Sequence, residues 1–229
     1  MPGYGKADRP SNFDYTAQGY GRHLAKLLNQ LGVEKAHLVL HDFGATWGLN
    51  FASNHPDHIA SFTFFNSGVV VGYRWHGFAR IWRTPIVGEL FQLTTTRRTF
   101  RAFLNADNPK PFPEEFVERM YADIDWPVKR AILKLYRATD DPGAMSVGYG
   151  ESLKPRSIPA LVIWADSDPY MPVKHAEAQS DYFDADVHIL PDCGHWPMID
   201  EPERVSELVL PFLRRQVSGE AQSLNQPAS

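Results

Sequence analysis

Apolar positions along the chain repeat with two different periods. Between Tyr15 and Gly32, Tyr20, Leu24, Leu27, Leu28 and Leu31 follow helical spacing, with Thr16 placed to cap the start and Gly32 to end it. Leu38 to Leu40 form a short apolar run that stops at His41-Asp42-Phe43-Gly44. A second helix then opens at Gly44 and Ala45, carries Trp47, Leu49 and Phe51, and runs to about Asn54. His55-Pro56-Asp57-His58 reads as a turn, and Ser61 to Phe65 as a buried strand ended by Asn66-Ser67-Gly68. Ile158 to Trp164 and Asp186 to Leu190 give two more strands. Val205, Leu208, Val209, Phe212 and Leu213 form the apolar face of a last helix that starts at Asp200-Glu201-Pro202 and has Pro211, a kinking residue, inside it. Strands alternating with helices predict an α/β fold with a mostly parallel sheet and helices on both faces.

From about Val69 to Leu153 the pattern changes to aromatic-rich, Arg-containing segments with helical spacing: Phe78 to Trp82, Arg97 to Leu104, Pro113 to Ile124 and Pro127 to Arg137. They interrupt the strand-helix alternation, which predicts a core of residues 1–68 and 154–216 with residues 69–153 as an inserted helical cap. Beyond Arg215 the stretch Val217 to Ser229 is polar and non-periodic, and is expected to be disordered.

Composition narrows the class. The 229 residues suffice for one domain with a sizeable core, or a core plus a small insertion. A formal net charge of −4 without a Lys/Arg run argues against a nucleic-acid partner. A single Cys excludes an internal disulfide, and no apolar stretch could cross a bilayer. A cytoplasmic protein with a small-molecule substrate and no membrane partner is the expectation.

The candidate chemistry lies in three turns. Asp42 stands where a strand meets a helix through a sharp turn, the place that presents a nucleophile in Gly-x-nucleophile-x-Gly elbows, with the next backbone amide, here Phe43, available to an oxyanion. Small residues Gly44 and Ala45 follow the apex, consistent with crowding beside a tight turn. Leu40 occupies the first Gly position, and an Asp at such a place also serves as an ordinary helix N-cap. Downstream, Ala165-Asp166-Ser167-Asp168-Pro169 ends a strand with two acids, and His195 falls between the final strand and the final helix. Nucleophile, acid, histidine is the chain order of an α/β-hydrolase triad. Cys193 has no companion at zinc spacing, so no metal site is expected, and nothing points to a cofactor.

In these residues the chain resembles the α/β-hydrolases. Its His-Asp-Phe-Gly elbow is similar to that of the aspartate-nucleophile branch, which includes epoxide hydrolases and haloalkane dehalogenases. The resemblance covers Met1 to about Arg215, and its specific parts are the elbow and Gly194-His195-Trp196-Pro197. It implies Asp42 as nucleophile, His195 as base, Asp168 rather than Asp166 as the acid, the Phe43 amide in the oxyanion site, and Tyr136 and Trp196 at the substrate. Tyr136, in Lys134-Leu135-Tyr136-Arg137, matches a ring-opening tyrosine of epoxide hydrolases, and Tyr121 is the candidate for their second one. Trp75, Trp82 and Trp126 read as core or pocket walls. Similar haloalkane dehalogenases carry after the nucleophile a Trp whose N–H holds the halide. Phe43 has no such donor, so epoxide hydrolysis leads, with dehalogenation or a non-catalytic fragment or binding protein as alternatives.

In the resembled family a Pro-Gly-Tyr-Gly segment like Pro2-Gly3-Tyr4-Gly5 follows the fourth strand. Met1 thus reads as internal to a longer protein that also has earlier strands and a His-Gly loop bearing a second oxyanion amide. Without that donor the chain is expected to be weakly active.

Overall fold

A computed structural model describes residues 1–106 and 108–224. The chain begins with turns and then forms α1 (Ala17–Gln30), β1 (Ala36–His41), α2 (Phe43–Asn54) and β2 (Ile59–Phe65). Five helices follow: α3 (Gly77–Arg83), α4 (Val87–Thr94), α5 (Arg97–Ala106), α6 (Glu114–Ala122) and α7 (Trp126–Ala138). The chain returns through α8 (Pro142–Leu153) to β3 (Pro159–Ala165), β4 (Asp184–Leu190), α9 (Pro197–Asp200) and α10 (Pro202–Leu224).

The four strands are parallel and ordered β1-β2-β3-β4, so this is the α/β architecture that the alternation predicts. Both faces of the inner strands are covered, because alternate side chains of a strand point to opposite sides. On β3, Ala160, Val162 and Trp164 face a cluster with Leu40, Leu49, Phe62, Phe64 and Leu153, while Leu161, Ile163 and Ala165 pack with Leu190, Val205 and Phe212 of α10. Among the described residues β1 is paired on one side only, by β2, and Val39 on it is half-exposed.

Thr16 caps α1 as its position predicts, its side chain accepting from the Gly19 amide at 3.0 Å. α1 leans on α2 through its first half. Tyr20 is fully buried, and a Cβ on Gly21 would stand 2.1 Å from Asn50 Oδ1, so only glycine permits the approach. Leu27 and Leu31, apolar at helical spacing, stay exposed beyond that contact.

Several element readings shift. α4 and α8 are absent from the sequence reading; Gly143, Gly148 and Gly150 lower the helix propensity of α8, and packing against α2 compensates. Trp126, read as a wall, is exposed at the start of α7. The segment read as a disordered tail from Val217 continues α10 as far as Leu224, since extending a nucleated helix adds a backbone hydrogen bond for each residue fixed and needs no apolar stripe. Residues 225–229 lie outside the described residues.

Candidate active site

Asp42 is the hinge between β1 and α2. It occupies the N-cap position of α2, yet its side chain caps nothing and its φ is +50°, a costly conformation for a non-glycine residue. The carboxylate instead faces a cavity. The Phe43 amide, first in α2, is one of the donors a helix leaves without an internal partner. Crowding at the elbow falls at Gly48, where a Cβ would meet Leu40 at 2.7 Å, and not at Gly44, where it would meet nothing within 4 Å.

The turn after β3 supplies the acid. Asp168 is buried, its Oδ1 accepting from the amides of Tyr170 (2.7 Å) and Met171 (2.9 Å) while its Oδ2 accepts from His195 Nδ1 at 2.7 Å. Asp166 is exposed and accepts from the Ser167 hydroxyl. His195 Nε2 lies 3.9 Å from Asp42 Oδ2. Burial opposes a charge on His195, but the carboxylates of Asp168 and Asp42 outweigh it and push its pKa up to about 10. Burial would raise the pKa of Asp42; the hydrogen bond and charge of the facing His195 hold it below the usual carboxylate value. In the free protein the pair is therefore carboxylate and imidazolium.

The histidine loop is held by its main chain as well. Asn66, buried at the end of β2 with φ +42°, donates to the Gly194 carbonyl at 2.9 Å and accepts from the Ala165 amide at 2.6 Å. Asp200 Oδ2 accepts from the Gly194 amide at 2.8 Å, and His41 Nε2 lies 2.7 Å from the His195 carbonyl.

The cavity measures about 440 Å³ and is walled by the elbow, the β3 turn, the histidine loop and helices α3 to α7. Its lining is mostly aromatic and aliphatic, and among the described residues no Lys or Arg takes part in it. Trp75, Trp82 and Trp196 all line it; Trp196 stands edge-on to His195 at 4.8 Å. Tyr136 reaches the cavity from α7, edge-on to Phe43 at 5.0 Å. Burial first, and the Asp42 charge second, raise its phenol pKa well above the ordinary value, so the phenol keeps its proton. Tyr121 is not at this wall; its ring pairs with Phe100 at 5.8 Å.

Sequence reasoning missed His76. Its Nδ1 accepts from the Ala79 amide at 3.3 Å, and burial lowers its pKa to about 4 against the pull of Asp42, so the neutral ring carries its proton on Nε2. The ring lines the cavity 6.2 Å from that of Tyr136. Its only sequence signal is its place just before Gly77, an N-cap position for α3 occupied by an uncommon capping residue. Among the described residues, no group of three or more His, Cys, Asp or Glu could hold a metal ion, and no helix is long and apolar enough to cross a membrane.

Residues 1–202 match the model of the alpha/beta hydrolase fold family. A 2-hydroxy-6-oxononadienedioate/2-hydroxy-6-oxononatrienedioate hydrolase of Comamonas testosteroni is 25% identical over 224 residues, covering 93% of this chain and 74% of that protein. Among solved structures, the haloalkane dehalogenase DbeA of Bradyrhizobium elkani superposes with a TM-score of 0.80 at 20% identity, covering 96% of this chain and 80% of that one. The meta-cleavage product hydrolase CumD of Pseudomonas fluorescens gives 0.74 at 20% identity, covering 94% and 78%. At such identities the superpositions speak for the fold alone.

Proposed function

The chain belongs to the alpha/beta hydrolase fold family, and from that premise we propose that it hydrolyses a neutral, apolar epoxide through an ester formed on Asp42. The observation that carries this reading is the apex residue. An ionised carboxylate stands at the elbow, facing an apolar cavity, 3.9 Å from a histidine that a buried acid holds at 2.7 Å. A carboxylate needs no proton removed before it attacks carbon.

In the first step an oxygen of Asp42 attacks one epoxide carbon, the C–O bond of the ring breaks, and an alkyl ester forms. The departing oxygen takes the phenolic proton of Tyr136, while the Nε2–H of His76 is available to donate a hydrogen bond to it. Esterification neutralises Asp42, so His195 loses one of the two charges that kept it protonated. Its proton leaves and restores the phenol. Neutral His195, oriented by Asp168, then takes a proton from water, whose oxygen attacks the ester carbonyl beside the Phe43 amide. Collapse frees the diol and returns Asp42 to carboxylate and His195 to imidazolium, so the cycle consumes one water and closes its proton balance.

Two features favour this chemistry over that of the named relatives. The nonadienedioate and nonatrienedioate substrates in the name of the Comamonas protein are dianions. Here the lining offers no Lys or Arg to pair a carboxylate, and Asp42 would repel one. Carbon–halogen cleavage calls for donors at the leaving halide; the Phe43 side chain beside the nucleophile supplies none, and a halide would have to use the indole N–H groups of Trp47 and Trp82, which line the cavity. The helices between residues 69 and 153 serve in this reading as the cap that keeps water out.

The test is intact-mass analysis of His195→Gln after exposure to an aryl or alkyl epoxide. A gain equal to the whole epoxide, mapped to Asp42, is the expected result; a gain that survives Asp42→Asn, or no gain at all, overturns the reading. A 1-haloalkane arm separates dehalogenation, because its adduct lacks the halogen.

A further inference from the structure

We propose that His41 is a positioning residue, whose imidazole holds the main-chain carbonyl of His195 and thereby keeps the His195 ring where ester hydrolysis needs it. The inference rests on the aspartyl-ester reading and extends it to a residue that reading does not use.

The need for such a residue follows from the topology. β1 and β4 are the two ends of the sheet order, three strand spacings apart, or about 14 Å. Asp42 follows β1, whereas the loop bearing His195 follows β4 and must come back across the strand ends to reach it. Each strand it crosses contributes a tether. From the turn after β3 Asp168 takes the ring at Nδ1, from the end of β2 Asn66 takes the Gly194 carbonyl, and from the end of β1 His41 takes the His195 carbonyl.

A carbonyl oxygen can only accept, so the 2.7 Å contact assigns the proton to His41 Nε2. The two imidazole rings lie 4.6 Å apart, with the Trp196 ring 6.1 Å from that of His41. Burial, reinforced by the charge on His195, lowers the His41 pKa to about 4. His41 therefore donates as a neutral ring and adds no cation beside the Asp42–His195 pair. Without this donor the His195 carbonyl would lose its partner at the elbow, and nothing on β1 would set the 3.9 Å separation between Nε2 and Asp42 Oδ2. The nucleophile itself does not depend on that separation, because Asp42 attacks as a free carboxylate; the water-activating step does.

The variants that isolate this role are His41→Phe, which keeps a ring and removes the donor, and His41→Gln, which places an amide N–H at a similar reach. Single-turnover kinetics with a chromogenic aryl epoxide separate ester formation from ester hydrolysis. In His41→Phe, hydrolysis should fall at least 10-fold while ester formation stays within about 3-fold of wild type. The Asp42 ester should accumulate, kcat and KM should fall together, and His41→Gln should recover most of the loss. Hydrolysis unchanged in His41→Phe overturns the proposal. So does an equal loss in both half-reactions that His41→Gln fails to rescue, since that marks a merely structural role. Should wild type form no ester, the aspartyl-ester reading fails separately, and the tether is then judged by NMR titration of the His195 imidazole. A midpoint displaced in His41→Phe and restored in His41→Gln supports it, and an unmoved midpoint overturns it.

Discussion

Replacing Asp42 by Asn removes one of the two carboxylates facing His195 while keeping the size of the side chain, and it imitates the neutral charge of the esterified enzyme. The consequence for His195 can be worked from the 3.9 Å separation. Two unit charges at that distance interact by about 1 kcal/mol at the dielectric of water and about 4 kcal/mol at an effective value near 20. At about 1.4 kcal/mol per pH unit, these limits correspond to a fall in the His195 midpoint of roughly 1 to 3 units. The Asp42 side chain keeps 48% of its surface accessible from the cavity, which places the expected fall in the lower half of that range. Starting from about 10, the midpoint would still lie above neutrality, and filling the cavity with substrate would lower it further by excluding water. The assay is a pH titration of the His195 ring by NMR in wild type, Asp42→Asn and Asp168→Asn. Asp168 touches the ring at 2.7 Å, so its variant should show the larger fall. A midpoint in Asp42→Asn equal to that of wild type would refute the argument that esterification switches His195 from acid to base.

Tyr136→Phe should slow epoxide opening by about 10²- to 10⁴-fold and leave the hydrolysis of a preformed ester unchanged, as read by single-turnover kinetics. The pH profile of kcat/KM should be flat from below the usual carboxylate range, where the depressed Asp42 pKa lies, up to about 10, since the phenol of Tyr136 titrates still higher. The His195–Asp168 pair should contribute stability that is fully present below the unfolded histidine value of 6.5 and is lost as pH rises through about 10. Thermal melts across that window check the sign: the melting temperature should fall toward alkaline pH, and less so in Asp168→Asn. Phe64, fully buried between the sheet and its helices, should cost about 3–5 kcal/mol when changed to Ala, measured by urea unfolding.

Local pattern carried much of the fold. The α1 cap at Thr16, the β2, β3 and β4 runs and the α10 stripe from Val205 to Leu213 are set by neighbours in sequence, and each is legible to within a few residues. α8 was not, because its glycines oppose helix formation locally and its stability comes from α2, about a hundred residues away. The tail beyond Val217 was misread for the converse reason: it shows no apolar period, yet it prolongs a helix that the stripe from Val205 to Leu213 has already nucleated.

At the candidate site, residue types and chain order were enough to bring forward Asp42, the acid pair Asp166 and Asp168, and His195, since an elbow, an acid turn and a histidine turn each leave a local signature; the choice of Asp168 came from the family resemblance. Which of two neighbouring acids meets the histidine was not a local matter. It depends on the direction the β3 turn gives each carboxylate, and the geometry puts Asp168 on the ring and Asp166 in solvent. The same holds for His41, His76 and Asn66, ordinary residues in sequence that the crossing of the strand ends brings to one histidine loop and one cavity. Sequence by itself determined the strands, the helices α1, α2 and α10 that flank them, and the candidate groups they end in, because these follow from spacing along the chain. Tertiary structure alone decided the distances and the charges those groups carry, because each pKa depends on burial and on partners as far as 154 residues away.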